Sequence, residues 1–188
     1  MKILKNDKGY TLVELLAVMV ILVAVGMIIT SIMVSSLRGG GKSLTTNDIR
    51  QNGNYALSQM SKMIAYAKSF NGVYDTTSST WTDCISSLPT QRYYSVRITS
   101  FDEGTTIFNC ANMVLSSNSA ALVNPDLDAT CYFTCSQASL STSPTINAYL
   151  TLKKRQPTGF ILLPEAQTVI DFSTSVTLRN NLIDITNP

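Results

Sequence analysis

Hydrophobic positions along this chain fall into three regimes, and each predicts a different element. Between Tyr10 and Leu37, 21 of 28 residues are hydrophobic, and from Leu15 to Ile29 no side chain is charged or strongly polar. A helix over 10–37, at about 1.5 Å per residue, is roughly 42 Å long, more than the hydrocarbon thickness of about 30 Å, so it can span a membrane. Farther on the solid run gives way to a stripe: Ile49, Gly53, Ala56, Leu57, Met60, Met63, Ile64 and Ala67 recur at helical spacing. This predicts an amphipathic helix over 47–70, N-capped by Thr46 or Asn47 and ending near Phe70-Asn71-Gly72, with its methionines as core packing rather than ligands.

Between the two helices lies Gly39-Gly40-Gly41. At about 1 kcal/mol per Gly relative to Ala in a helix interior, it predicts a flexible or partly unwound hinge over 38–46. The following Lys42-Ser43 gives the triplet the look of a phosphate-binding loop. That pattern needs Gly at position 36, which is Ser36, and a preceding strand, which the pattern does not provide.

The third regime is alternation. Tyr94, Val96 and Ile98 alternate with Ser95, Arg97 and Thr99; Ile146, Ala148, Leu150 and Leu152 alternate with polar neighbours; Ile170, Phe172, Val176 and Leu178 share one parity. These predict strands with one buried face, a β-rich region over 92–180, and an antiparallel sheet covered on one side by the stripe of the 47–70 helix. A short apolar run also lies within 159–164, and long polar loops are predicted over 71–91, 116–130 and 136–145. The fold class is therefore α+β, with a long N-terminal helix in a membrane half and an amphipathic half.

Composition narrows the functions this architecture serves. The 188 residues contain 14 Lys and Arg, 12 Asp and Glu and no His, and only 14% are charged, against about 25% in ordinary soluble domains. The absence of His excludes catalysis and metal ligation through imidazole. So few cations give no footprint for specific nucleic-acid binding. The low charge suits a membrane-attached or exported protein.

The flanks of the apolar run refine this. A cleaved secretory signal has an apolar stretch of about 7 to 15 residues and a small-residue cleavage site, whereas this stretch is longer and Ser35-Ser36-Leu37-Arg38 is a poor site. Lys2, Lys5 and Lys8 argue that the N-terminus stays in the cytoplasm, a bias that Arg38 and Lys42 partly offset. Glu14 sits inside the apolar run, where an unpaired carboxylate costs about 2.5–3.5 kcal/mol at mid-bilayer and less near the interface. It either snorkels to the headgroups or awaits a cationic partner from another chain.

The stretch Lys8-Gly9-Tyr10-Thr11-Leu12-Val13-Glu14-Leu15-Leu16 resembles the processing site of type IV prepilins and pseudopilins. The resemblance covers about residues 5–35. It implies a leader over 1–9 cut after Gly9 by prepilin peptidase, an N-methylated Tyr10 as the new first residue, and a Glu14 that pairs with the terminal amine of a neighbouring subunit. Asp7 in the leader, Tyr10 in place of the more usual Phe, and the lack of a Pro near Ser31 are departures that lean toward a minor pilin or pseudopilin. The leader carries three of the 14 cations and one of the 12 anions, so the cleaved chain would hold 11 of each.

The four cysteines, Cys84, Cys110, Cys131 and Cys135, fall in the part placed outside the cytoplasm, where disulfides persist. If 131–135 is a strand, Cys131 and Cys135 lie about 13 Å apart, beyond the roughly 7 Å that a bridge tolerates, and each pairs with Cys84 or Cys110. A turn at 132–134 would reverse this, so the connectivity stays open. A four-Cys zinc site is the rival, and the isolated spacing speaks against it. Lys153-Lys154-Arg155 is a candidate patch for DNA or another anionic surface and Asp126 with Asp128 a candidate part of a Ca²⁺ site, but three cations at a strand end usually form a solvated turn, and two acids lack a full ligand set.

The resemblance and the pattern together lead to an expected function. The chain reads as a structural subunit, not an enzyme, of a type IV pilus or a pseudopilus like that of type II secretion. Such a fibre serves adhesion, motility, DNA uptake or secretion. The chain would be held in the inner membrane by one helix over 10–37, with its globular domain, 47–188, outside the cytoplasm. Expected partners are other pilin subunits, prepilin peptidase, the inner-membrane assembly platform and membrane lipid, with no cofactor and no metal. A single-pass anchor carrying an extracytoplasmic binding domain is the alternative.

Overall fold

A computed structural model describes residues 11–86, 90–139, 142–156, 159 and 167–179; the short apolar run expected over 159–164 lies, except for Gly159, outside the described residues. The apolar run and the amphipathic stripe form one helix, α1 (Leu12–Ala65), of 54 residues and about 81 Å at 1.5 Å per residue. The segment expected as a hinge is not unwound: Gly39, Gly40 and Gly41 are helical. Helix already propagating on both sides spares this segment the cost of a new nucleus, so the glycine penalty is absorbed without a break. Thr46, expected as a cap, lies inside α1, its Oγ1 donating to the Lys42 carbonyl at 2.8 Å.

α1 also ends earlier than its stripe predicts. The Tyr66 N–H donates to the Lys62 carbonyl and the Ala67 N–H to the Ile64 carbonyl. The backbone then leaves for β1 (Ser69–Asp75), where Phe70 pairs with Ile98. Pairing with a distant strand overrides the local period.

Two antiparallel sheets follow. The first has the order β2 (Thr80–Thr82), β1, β3 (Ser95–Thr99), β4 (Thr105–Ala111), β5 (Val114–Ser117), β6 (Ala120–Ala121); the second has the order β7 (Leu127–Ser136), β8 (Thr145–Lys154), β9 (Val169–Thr177). The strands expected around 96–98, 146–152 and 170–178 are present. Just before the first of these, Tyr93 rather than Tyr94 is the buried tyrosine, held by a bridge to Phe133.

Two expected loops contain strands instead. The 71–91 segment holds most of β1 and all of β2, joined through a turn in which the Asp75 carboxylate accepts from the Thr77 N–H. The 116–130 segment holds the end of β5, β6 and the start of β7. Asn118 and Ser119 both adopt positive φ in the β5–β6 turn, the geometry that short hairpins favour. The Asn118 side chain then accepts from the Ile107 N–H at 2.8 Å and donates to the Thr105 carbonyl at 3.1 Å, fixing the turn to β4. Polar composition here encodes a hairpin.

The core lies where the second half of α1 meets β8 and β9. Ile49, Gly53, Ala56, Leu57, Met60 and Ile64 bury one helix face against Ile146, Ala148, Leu150, Leu152 and Val176. The architecture is α+β and pilin-like: one long N-terminal apolar helix packed on antiparallel sheets.

Candidate functional site

The first half of α1 packs against nothing. From Leu12 to Leu37 every residue is exposed, although the segment is long and apolar enough to cross a membrane. Burying a large aliphatic side chain is worth about 1.5–3 kcal/mol, so a surface with this many bare Leu, Ile, Val and Met side chains requires lipid or other helices around it. The chain thus divides by burial: residues beyond Ile49 build a core, and those before Leu37 present an apolar rod.

At the head of the rod, Thr11 caps the helix. Its backbone is extended, and its carbonyl and Oγ1 both accept from the Glu14 N–H, at 3.1 and 3.3 Å. The Thr-x-x-Glu spacing signals a helix start. It also places the Glu14 carboxylate in the first turn, where the free N–H groups of the helix favour a negative charge. Glu14 is exposed and makes no ion pair among the described residues. Gly9 and Tyr10 lie outside the described residues.

At the other end of the apolar stretch, Arg38 and Lys42 stand one turn apart and exposed. Gly39, Gly40 and Gly41 sit between them, and a Cβ added to any of the three would meet nothing within 4 Å. No contact requires glycine there. Thr45 and Thr46 bond back to the carbonyls of Gly41 and Lys42, a habit that bends and slightly weakens helices.

The four cysteines form two disulfides, Cys84–Cys135 and Cys110–Cys131, with Cα separations of 5.2 and 5.6 Å. β7 is a strand through Cys131 and Cys135, so both point to one face and each takes a partner from the first sheet's side of the domain. The zinc alternative is thereby displaced.

The remaining candidates neutralise one another. Arg155 pairs with Asp128 at 2.8 Å and Lys154 with Asp126 at 3.8 Å. The basic run and the acidic pair are the two sides of one cross-strand contact between the ends of β8 and β7. Among the described residues no group of three or more Cys, Asp or Glu is placed to hold a metal.

Comparison with known proteins bears on the exposed rod. The prokaryotic N-terminal methylation motif matches residues 4–37, the leader region together with the bare half of α1. The match supports a prepilin of the type IV pilin or pseudopilin type, a class of structural subunits. No curated protein and no solved structure matches the chain.

Proposed function

We propose that this protein is a subunit of a type IV pilus or type II secretion-like pseudopilus. In this reading prepilin peptidase cuts after Gly9, Tyr10 becomes the N-methylated first residue, and the mature chain waits in the inner membrane with its domain outside the cytoplasm. An assembly platform then adds it to a fibre, helix against helix. The carrying observation is the exposed apolar half of α1, which the methylation motif covers and which runs without a break in the helix into a folded domain.

Glu14 gives this reading its chemistry. Cleavage would free an α-amine of pKa about 7.7–8.0 four residues before a carboxylate that has no ion-pair partner among the described residues. A neighbouring helix staggered along its axis would bring that cation to Glu14. Pairing then removes the cost of a lone charge in the membrane, about 2.5–3.5 kcal/mol at its centre, and ties relief of that cost to subunit addition.

Two measurements test this. Mass spectrometry of the N-terminus from the native host should find a methylated Tyr10; an intact Met1, or a cut after residue 35, would end the reading. Glu14→Ala should be cleaved normally and fail to enter filaments. Incorporation at the wild-type level would leave the subunit assignment standing and remove the charge pairing.

A further inference from the structure

The face of the β7–β8–β9 sheet turned away from α1 carries a stack of flat groups that ends one place short of the sheet edge. In the cross-strand row Tyr132, Tyr149, Ser173, the tyrosine rings stack 4.6 Å apart at 14°. The Arg92 guanidinium lies 4.4 Å from the Tyr132 ring centre, covering the face that Tyr149 does not. Rings stacked across neighbouring strands face along the inter-strand direction. The second face of Tyr149 therefore looks over Ser173, which is exposed and offers only a hydroxymethyl group. Strands lie about 4.8 Å apart, close to the stacking interval, so the place above Ser173 is the width of one more flat group. Among the described residues β9 is an edge strand, and no described strand closes the slot on that side.

The rows on either side supply polar groups suited to hydroxyls. In one, Asp171 accepts from Thr151 Oγ1 at 2.6 Å, which leaves carboxylate lone pairs for further donors. In the other, Asn147 donates its Nδ2 to Thr134 Oγ1 at 3.1 Å, and Ser175 stands exposed beside it. Asp171 has no cationic partner among the described residues, and Arg92 lies at the far end of the stack. The slot is thus aromatic on one wall and hydroxyl-binding on its flanks, with the Asp171 carboxylate beside it and the exposed Lys153 one row farther along the same face.

We infer that this slot binds a neutral pyranose residue of a glycan. One C–H face of the sugar lies on Tyr149, and its hydroxyls donate to Asp171 in charge-assisted hydrogen bonds. The carboxylate disfavours phosphate, sulfate and acidic sugars, which separates this occupant from a nucleotide base. The site does not depend on polymerisation: a chain that never assembles would still carry it.

The test uses the full chain in a detergent without sugar headgroups, with lactose, maltotriose, chitotriose and an oligothymidine as probes. Saturation-transfer NMR should show transfer to C–H protons on one face of a sugar ring. Tyr149→Ala and Ser173→Tyr should each weaken binding about tenfold or more. Ser173→Tyr fills the slot with a third ring from the chain itself at an exposed strand position that tolerates aromatics, so it stays informative if Tyr149→Ala folds poorly. Transfer to none of the three sugars, undiminished binding by Ser173→Tyr, or preference for the oligothymidine would each overturn the proposal.

Discussion

Gly53 shows how one residue joins helix to sheet. A Cβ built there would collide with the Cζ, Cε1 and Cε2 atoms of the Phe172 ring, so glycine lets the ring lie directly on the α1 backbone. Gly53→Ala should gain about 1 kcal/mol in helix propensity and lose about 1–3 kcal/mol to overpacking. The expected outcome is a net loss of stability, read as a lower denaturant midpoint at unchanged m-value. The helical spacing of the stripe already marks position 53 as core-facing. That it must be glycine was not legible, because the ring it admits arrives from β9, distant in sequence. Asp75 illustrates the opposite case, a site set by its neighbours in the chain. The Thr77 N–H, at 2.9 Å, and then the Ser78 hydroxyl, at 3.0 Å, hold its carboxyl below the ordinary Asp value. A carboxyl pKa depressed by folding stabilises above its unfolded value, about 3.9, and that contribution fades as pH falls through the lowered folded value. Asp75→Asn should therefore flatten the acid limb of a stability-against-pH curve and leave its shape near neutrality unchanged. An acid limb identical to that of wild type would count against this assignment.

At the scale of the element, α1 carries two halves of different character on one continuous backbone. Its halves were both legible, the first from its unbroken hydrophobicity and the second from its period. Their continuity was not, because propensity prices Gly39-Gly40-Gly41 residue by residue while a long helix supports its own middle. The triplet remains the weakest part of α1, with no packing to require it and the back-bonded Thr45 and Thr46 just after it. Replacing all three glycines with Ala should stabilise the segment by up to about 3 kcal/mol. Amide hydrogen exchange over 38–46 would slow accordingly. If this segment is where a fibre bends, the triple variant would also form stiffer filaments, a longer persistence length at normal subunit incorporation.

In the whole molecule, the second half of α1 is packed on β8 and β9, so apart from the short chain connection from Ala65 to Ser69 the first sheet is held to the helix-bearing unit chiefly through β7. β7 makes that attachment through backbone hydrogen bonds, among them that from the Ala129 N–H to the Met113 carbonyl at 2.8 Å, and through the disulfides. It pairs Phe133 with Tyr93 by two backbone hydrogen bonds, at 2.9 and 2.7 Å, and it receives both disulfides, through Cys131 and Cys135. If 131–135 is a strand, the sequence already sets its two cysteines too far apart to bridge each other, and β7 is that strand. Which partner each takes depends on how the sheets stack, a non-local arrangement that no spacing encodes. Chain-entropy arguments assign about 4 kcal/mol to Cys84–Cys135, which spans 51 residues, and about 3 kcal/mol to Cys110–Cys131, which spans 21. Removing each pair as a double Ser variant should therefore cost more for the longer loop, measured by denaturant unfolding at matched pH. Removing both should do something neither does alone. Amides of β1, β3 and β4 would exchange by a local opening of lower free energy, while those of β8 stay at the global value, because β8 keeps its helix and both its strand neighbours. If all these strands lost protection together, the two sheets would be one cooperative unit and the disulfides merely additive. Separate loss would identify them as the fastening that holds the first sheet against the helix-bearing unit, beyond the direct chain connection from α1 to β1.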